Sequence, residues 1–134
     1  MSARSDEVPD KGQPLSPADP ISTSVAHRDG VAVVTVGGEI DLSTAPAFEA
    51  AIANALEDAP TVLVVELSAV DFMASVGLRI LASAREQLGG SAQLAVVANN
   101  PATRRPIQLT GLDKMLSLYR TLGDALTAVG TNAD

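Results

Sequence analysis

Ser75 stands in the stretch Asp71-Phe72-Met73-Ala74-Ser75-Val76-Gly77-Leu78-Arg79, where an aliphatic run gives way to a helical pattern. A hydroxyl at such a junction has two ordinary uses. It caps the helix by accepting a backbone N–H of the first turn, or it takes up a phosphoryl group, whose charge the positive end of a helix tolerates. Nucleophilic hydrolysis fits poorly. A G-x-S-x-G elbow needs glycine two residues before the serine, and Met73 stands there, although Gly77 fills the other place. A base is also needed, and the single histidine, His27, belongs to a strand-like segment near the start.

Two further stretches carry polar groups in suggestive order. Gly38-Glu39-Ile40-Asp41-Leu42-Ser43-Thr44 reads as a strand exit followed by a helix cap. If its strand neighbours the one before Ser75, both loops leave the same edge of the sheet, and Asp41 becomes a polar contact beside the serine. Thr103-Arg104-Arg105-Pro106 offers two guanidinium groups that could cradle a phosphate, although a solvated helix face is the commoner use of such a pair. Gly37-Gly38 precedes Glu39 rather than a P-loop lysine, and there is no G-x-G-x-x-G.

Composition removes several function classes. The 134 residues contain no cysteine and one histidine, so thiol chemistry, disulfides and histidine-based metal clusters are out of reach. With no Trp, one Tyr and two Phe, the core is aliphatic and base-stacking platforms are missing. A net charge of −7 disfavours nucleic acid and anionic membranes as partners and suits contact with other proteins. No apolar run reaches the roughly 20 residues of a membrane span, and residues 1–20 lack a signal-peptide core, so a cytoplasmic location is expected. No cofactor and no enzyme activity are expected.

The elements that must position these groups follow from periodicity. Residues 1–20 hold four of the eight prolines and many charges, and read as a disordered tail; residues 130–134 read as a disordered C-terminus. Between them, 21–129 form one domain. Ile21–His27 and Val31–Gly37 flank Arg28-Asp29-Gly30, a hairpin signal. The second strand is apolar on both alternating sets, which predicts cover on both faces. A helix follows, capped by Ser43 or Thr44, with Phe48, Ile52, Ala55 and Leu56 on one face. Thr61–Leu67 is a central strand, Ser75–Leu88 a helix, Gly89-Gly90 its cap, and Ala92–Ala98 another buried strand. A short helix over Pro101–Leu109, a turn over 111–114, a strand-like Met115–Tyr119 and a helix over Thr121–Val129 complete an α/β fold with a mixed sheet of four to five strands and about four helices.

Three blocks together, G-G-E-I-D-L-S-T-A, V-V-E-L-S-A-V-D-F and M-A-S-V-G-L-R-I-L, resemble the STAS-domain anti-sigma factor antagonists of bacterial partner switching. The resemblance covers roughly residues 21–129 and is strongest to actinobacterial members of stress and stationary-phase pathways. It implies the STAS fold and a binding module rather than an enzyme. It implies as partners an anti-sigma factor, itself a serine kinase using ATP, and a PP2C-type phosphatase. The unphosphorylated antagonist binds the anti-sigma factor and frees the sigma factor; phosphorylation reverses this. By motif position the phosphoacceptor is Ser75, and the family's aspartate is Asp41. The partner face it implies comprises Asp41, Leu42, Ser43, Thr44, Ala74, Ser75, Val76, Gly77 and Arg79, on a chain that is monomeric when free. The usual D-S-S-G site is altered: Ala74 replaces the acid, Val76 the second serine, and Glu66 stands for a frequent aspartate. A constitutive STAS scaffold without phosphorylation, or a small-ligand sensor, are the alternatives.

Overall fold

The computed structural model describes residues 20–129. The expectations for 1–19 and 130–134 lie outside them. The described chain runs β1 (Ile21–Arg28), β2 (Val31–Ile40), α1 (Ala45–Leu56), β3 (Val62–Met73), α2 (Ser75–Leu88), β4 (Gln93–Val97), α3 (Pro101–Leu109), a short 3-10 turn (Leu112–Lys114), β5 (Ser117–Tyr119) and α4 (Leu122–Ala128). The strands lie in sequence order; β1 and β2 are antiparallel and all later pairs are parallel. The mixed sheet with four helices is as expected.

The β1–β2 turn has positive φ at both Asp29 (52°) and Gly30 (84°). That is the turn whose twist matches paired antiparallel strands, and Asp-Gly is well suited to it. Each later pair is joined through a helix, as parallel strands require.

Alternate residues of β3 separate into two cores. Leu63, Val65 and Leu67 join Phe48 of α1, Leu81 of α2 and Ile107 of α3 in the large one. Val62 and Val64 join Ala95, Val97 and Ala125 of α4 in a smaller one. Three helices therefore cover one face of the sheet and α4 alone covers part of the other. This corrects the expectation of full cover on both sides of β2. Val31 and Val33 are half-buried and Thr35 is exposed, because the seven residues of α4 pack on β4 and β5.

The strands around the site are longer than their periodicity implies. β2 continues through Gly37-Gly38 to Ile40, and β3 continues past Leu67 to Met73, with register shifts at Thr35/Gly37 and Gly38/Glu39. Extra residues in one strand of a pair break the strict two-residue alternation, so this half of each strand reads as loop in the sequence. Leu67, Val70 and Met73 of β3 all reach the same core at a spacing of three.

Candidate functional site

β2 and β3 end side by side. Ile40 pairs with Met73, and the Ala74 N–H donates to the Ile40 carbonyl at 2.8 Å. The loop 41–44 and the start of α2 therefore leave the same edge of the sheet, at the C-terminal ends of parallel strands, where open α/β sheets place their sites.

Asp41 shapes its own loop. One carboxylate oxygen accepts from the Ser43 hydroxyl at 2.7 Å, the Ser43 N–H at 2.9 Å and the Thr44 N–H at 3.1 Å. The Thr44 hydroxyl accepts from the Asp41 N–H at 2.8 Å and donates to the Glu39 carbonyl at 2.9 Å. Thr44 holds the N-cap position of α1 but makes no side-chain cap bond; the carboxylate three residues back serves the entering backbone instead. Asp41 thus has an internal task, and its bonded oxygen is taken up within the loop.

The Ser43 hydroxyl above all, and then the Thr44 and Ser43 N–H groups, hold the Asp41 carboxyl below its ordinary pKa, against a smaller opposing effect of partial burial. A carboxylate with a depressed folded-state pKa stabilises the fold above its unfolded pKa, and that contribution fades as pH falls through the folded value. We therefore expect wild-type stability to decline with acidification below the usual carboxylate range, and Asp41→Asn to show a flatter decline over that window. Identical slopes in urea titrations at stepped pH would remove Asp41 from this role.

Ser75 is the first helical residue of α2, not its cap, which corrects the capping expectation. The N-cap is Ala74, extended at φ −79° and ψ 171°, with no side chain able to cap. Ser75 is exposed, and among the described residues its hydroxyl has no hydrogen-bond partner. The orphan N–H groups of a first helical turn lie beside it. Val76 and Gly77 are buried, Ala74 is half-buried, and Arg79 is exposed one turn on.

Gly77 admits close approach from inside the protein. A Cβ there would lie 2.6 Å from Met73 Cγ, 2.9 Å from its Sδ and 3.0 Å from Ile40 Cγ2. The missing side chain lets α2 seat directly on the paired ends of β2 and β3, which sets the height of Ser75. Gly77→Ala should cost about 1–3 kcal/mol through overpacking. In a Met73→Ala background, where the two nearest obstructing atoms are gone and only Ile40 Cγ2 remains, the same change should cost measurably less; equal costs by urea denaturation would show that the Met73 contact is not the cause.

Two exposed apolar side chains flank the serine. Leu42, at the tip of the loop, is 78% exposed, and Phe72, three residues before Ser75, is 50% exposed. Leu42 belongs to the expected partner face. Phe72 does not; its signal was that it is one of only two phenylalanines, obscured because its stretch reads as loop. Asn100 was also missed. Its side chain caps α3 through the Ala102 N–H at 2.8 Å and donates to the Val70 carbonyl at 3.0 Å, tying α3 to the distal half of β3.

The remaining candidates lie elsewhere or are occupied. Glu66 accepts from the Ser68 N–H at 2.8 Å within β3. Arg104 donates to the Ala98 carbonyl at 2.8 Å, so that guanidinium braces the β4 exit, while Arg105 is exposed. His27 lies at the hairpin end of β1, 3.4 Å from the Ala55 carbonyl and 3.6 Å from Asp58. Ser75 is at the opposite end of the strands, so His27 serves it as no base. Among the described residues no acid, histidine and cysteine cluster could hold a metal, and no helix is long and apolar enough to cross a membrane.

Residues 22–125 match the family model for the STAS domain. The chain is 54% identical over 115 residues to the anti-sigma-F factor antagonist RsfB of Mycobacterium tuberculosis, covering 86% of this chain and 94% of that protein. It superposes on the crystal structure of an anti-sigma factor antagonist from Mycobacterium paratuberculosis with a TM-score of 0.80 at 59% identity, over 86% of this chain and 98% of the other. The fold is shared more distantly with SpoIIAA. Its unphosphorylated form gives a TM-score of 0.68 at 20% identity, over 81% of this chain and 96% of that one. Its phosphorylated form, from Bacillus, gives 0.63 at 20% identity, over 81% and 99%.

Proposed function

Since the chain belongs to the STAS domain family, we propose that it is a cytoplasmic anti-sigma factor antagonist whose binding is switched by phosphorylation of Ser75. The observation that carries this is the state of the serine: exposed, without a hydrogen-bond partner among the described residues, on the first turn of α2. Leu42 and Phe72 stand exposed at the same sheet edge. The unmodified face, with Leu42, Ser43, Ser75 and Arg79 at its surface and Thr44, which the sequence placed on this face, buried beneath it, binds the anti-sigma factor and so releases the sigma factor. Asp41, Ala74, Val76 and Gly77 set that surface from beneath.

Modification follows ordinary phosphoryl transfer. The Ser75 oxygen attacks the γ-phosphorus of ATP held by the anti-sigma kinase, the bond to the ADP oxygen breaks, and the hydroxyl proton passes to a base of the kinase. The product carries about −1.5 to −2 charges beside a helix N-terminus, where the fold itself tolerates them. A PP2C-type phosphatase returns the hydroxyl by hydrolysis. Ala74 and Val76, in place of the family's acid and second serine, leave one acceptor at the junction. They also favour, as a second reading, a constitutive antagonist that is never phosphorylated.

Intact mass after incubation with the candidate anti-sigma kinase and ATP decides between the two. One added phosphate on the wild type and none on Ser75→Ala supports the switch. No phosphate on either, with binding retained, establishes the constitutive antagonist.

A further inference from the structure

We propose that β1 is a self-pairing edge, through which two copies of this chain join antiparallel about a two-fold axis into one continuous sheet. This interface is separate from the loop 41–44 and the start of α2, and it stands whether or not Ser75 is phosphorylated. Among the described residues β1 is an outer strand with β2 as its neighbour. The Glu39 N–H donates to the Pro20 carbonyl at 2.8 Å, which fixes the phase of the ladder. Residues of an antiparallel pair alternate between facing the neighbour and facing away. Pro20, Ser22, Ser24, Ala26 and Arg28 therefore face β2, and the N–H and C=O groups of Ile21, Thr23, Val25 and His27 face outward. Among the described residues none of these outward groups has a hydrogen-bond partner. Folded chains usually blunt such an edge with proline, charge or a bulge. β1 instead pairs with β2 over all 8 of its residues without a register shift, and it has no Pro, Lys, Asp or Glu and a single Arg at its end.

Three features fit a second copy rather than a foreign strand. The first is register. With Ser24 opposite the second copy's Ser24, Thr23 falls opposite its Val25 and Ile21 opposite its His27, so every outward N–H and C=O group is paired. The second is charge. In that register Arg28 lies opposite the second copy's Pro20, beside its Glu39 on the same face of the sheet. Both side chains are exposed and unpaired among the described residues, and two strand spacings of about 10 Å lie within their joint reach. The third is the helix above. α1 packs on both β1 and β2, so two copies of it would run about 10 Å apart, a packing distance that suits small side chains. Leu56 lines the α2 side of α1 with Gln87 and Leu88, whereas Asp58 approaches His27 on the β1 side. Ala47, Ala51 and Asn54 share that β1-side flank by helical spacing, and all are small and uncharged. A contact about 27 Å long and about 20 Å deep covers about 500 Å² per copy, the low end of specific interfaces. The pairing is therefore weak, and a dilute chain is the monomer that the family resemblance implies.

Sedimentation velocity on the full chain tests this, with loading raised from about 5 μM to about 1 mM so that mass action populates the dimer. The wild type should pass from monomer to dimer over that range. Thr23→Pro removes an outward N–H and no bond of the β1–β2 ladder, and should raise the dissociation constant at least tenfold. Ser24→Lys sets like charges opposite each other on the two-fold axis and should weaken the dimer without touching any backbone group, so the test survives if the proline variant misfolds. Arg28→Glu should also weaken it, and Arg28→Glu with Glu39→Arg should restore it. Because the chain lacks cysteine, mild oxidation of single-cysteine variants reports the register. Ser24→Cys should give a disulfide-linked dimer, whereas Ser22→Cys should not, since its two copies would lie about 14 Å apart, beyond disulfide reach. A chain that stays monomeric at the highest loading would overturn the proposal. So would a dimer indifferent to Thr23→Pro and Ser24→Lys, or equal cross-linking at positions 22 and 24.

Discussion

Ser75→Glu is expected to weaken binding to the anti-sigma factor by two orders of magnitude or more while leaving the fold intact. The two halves of this expectation have different causes. Ser75 is exposed and makes no hydrogen bond among the described residues, so the free protein loses nothing when it changes. A carboxylate on the first turn of α2 even meets the favourable end of the helix dipole. In the complex the same group would be enclosed against the partner. An uncompensated charge in a desolvated interface costs about 3–5 kcal/mol, which corresponds to about a hundred- to several-thousand-fold in affinity. No conformational change is needed. Calorimetric titration of the variant against the anti-sigma factor measures the loss, and urea denaturation checks that stability holds. An affinity within a few-fold of wild type would place Ser75 outside the interface, because a charge at a solvated rim does little. Ser75→Ala should bind as wild type does, which separates charge from the loss of the hydroxyl.

Phe48→Ala should be the most damaging single truncation of the core. Phe48 is fully buried on α1, the helix that follows the Asp41 loop, and is the largest fully buried side chain in an otherwise aliphatic interior. Removing it deletes the apolar burial and leaves a cavity that the surrounding Val, Leu and Ile side chains fill incompletely. The expected cost is about 3–5 kcal/mol, a large part of the roughly 5–15 kcal/mol that holds a domain of this kind together. The urea midpoint should fall at unchanged slope. Because α1 anchors the loop bearing Leu42, partner binding should weaken with it, in contrast to Ser75→Glu, which separates binding from stability. A loss below about 1 kcal/mol would mean that α1 repacks across the gap.

Much of this protein was determined by residue order alone. Alternating aliphatic runs and helical stripes place the elements because burial has a period near two in strands and near 3.6 in helices. Ser75–Leu88 and Pro101–Leu109 are helices with the expected bounds, and Asp29-Gly30 is the hairpin turn. The absence of cysteine, the lone histidine and the aliphatic composition excluded whole chemistries before any fold was drawn. The serine at the strand–helix junction was visible too, as were the three blocks of STAS character.

Tertiary structure decided the rest, for reasons that no periodicity carries. The distal halves of β2 and β3 are strands only because they pair with each other across register shifts, and a shift erases the alternation by which a strand is read. Phe72 accordingly looked like loop and is an exposed residue of a paired strand. Ala74, not Ser75, took the capping position because the Ala74 N–H is held by Ile40; that contact spans 34 residues of sequence and releases the serine hydroxyl. Gly77 proved to be a packing glycine, since what approaches it is Met73 and Ile40. Local sequence sets which element forms; where elements meet depends on surfaces that exist only after the chain has folded.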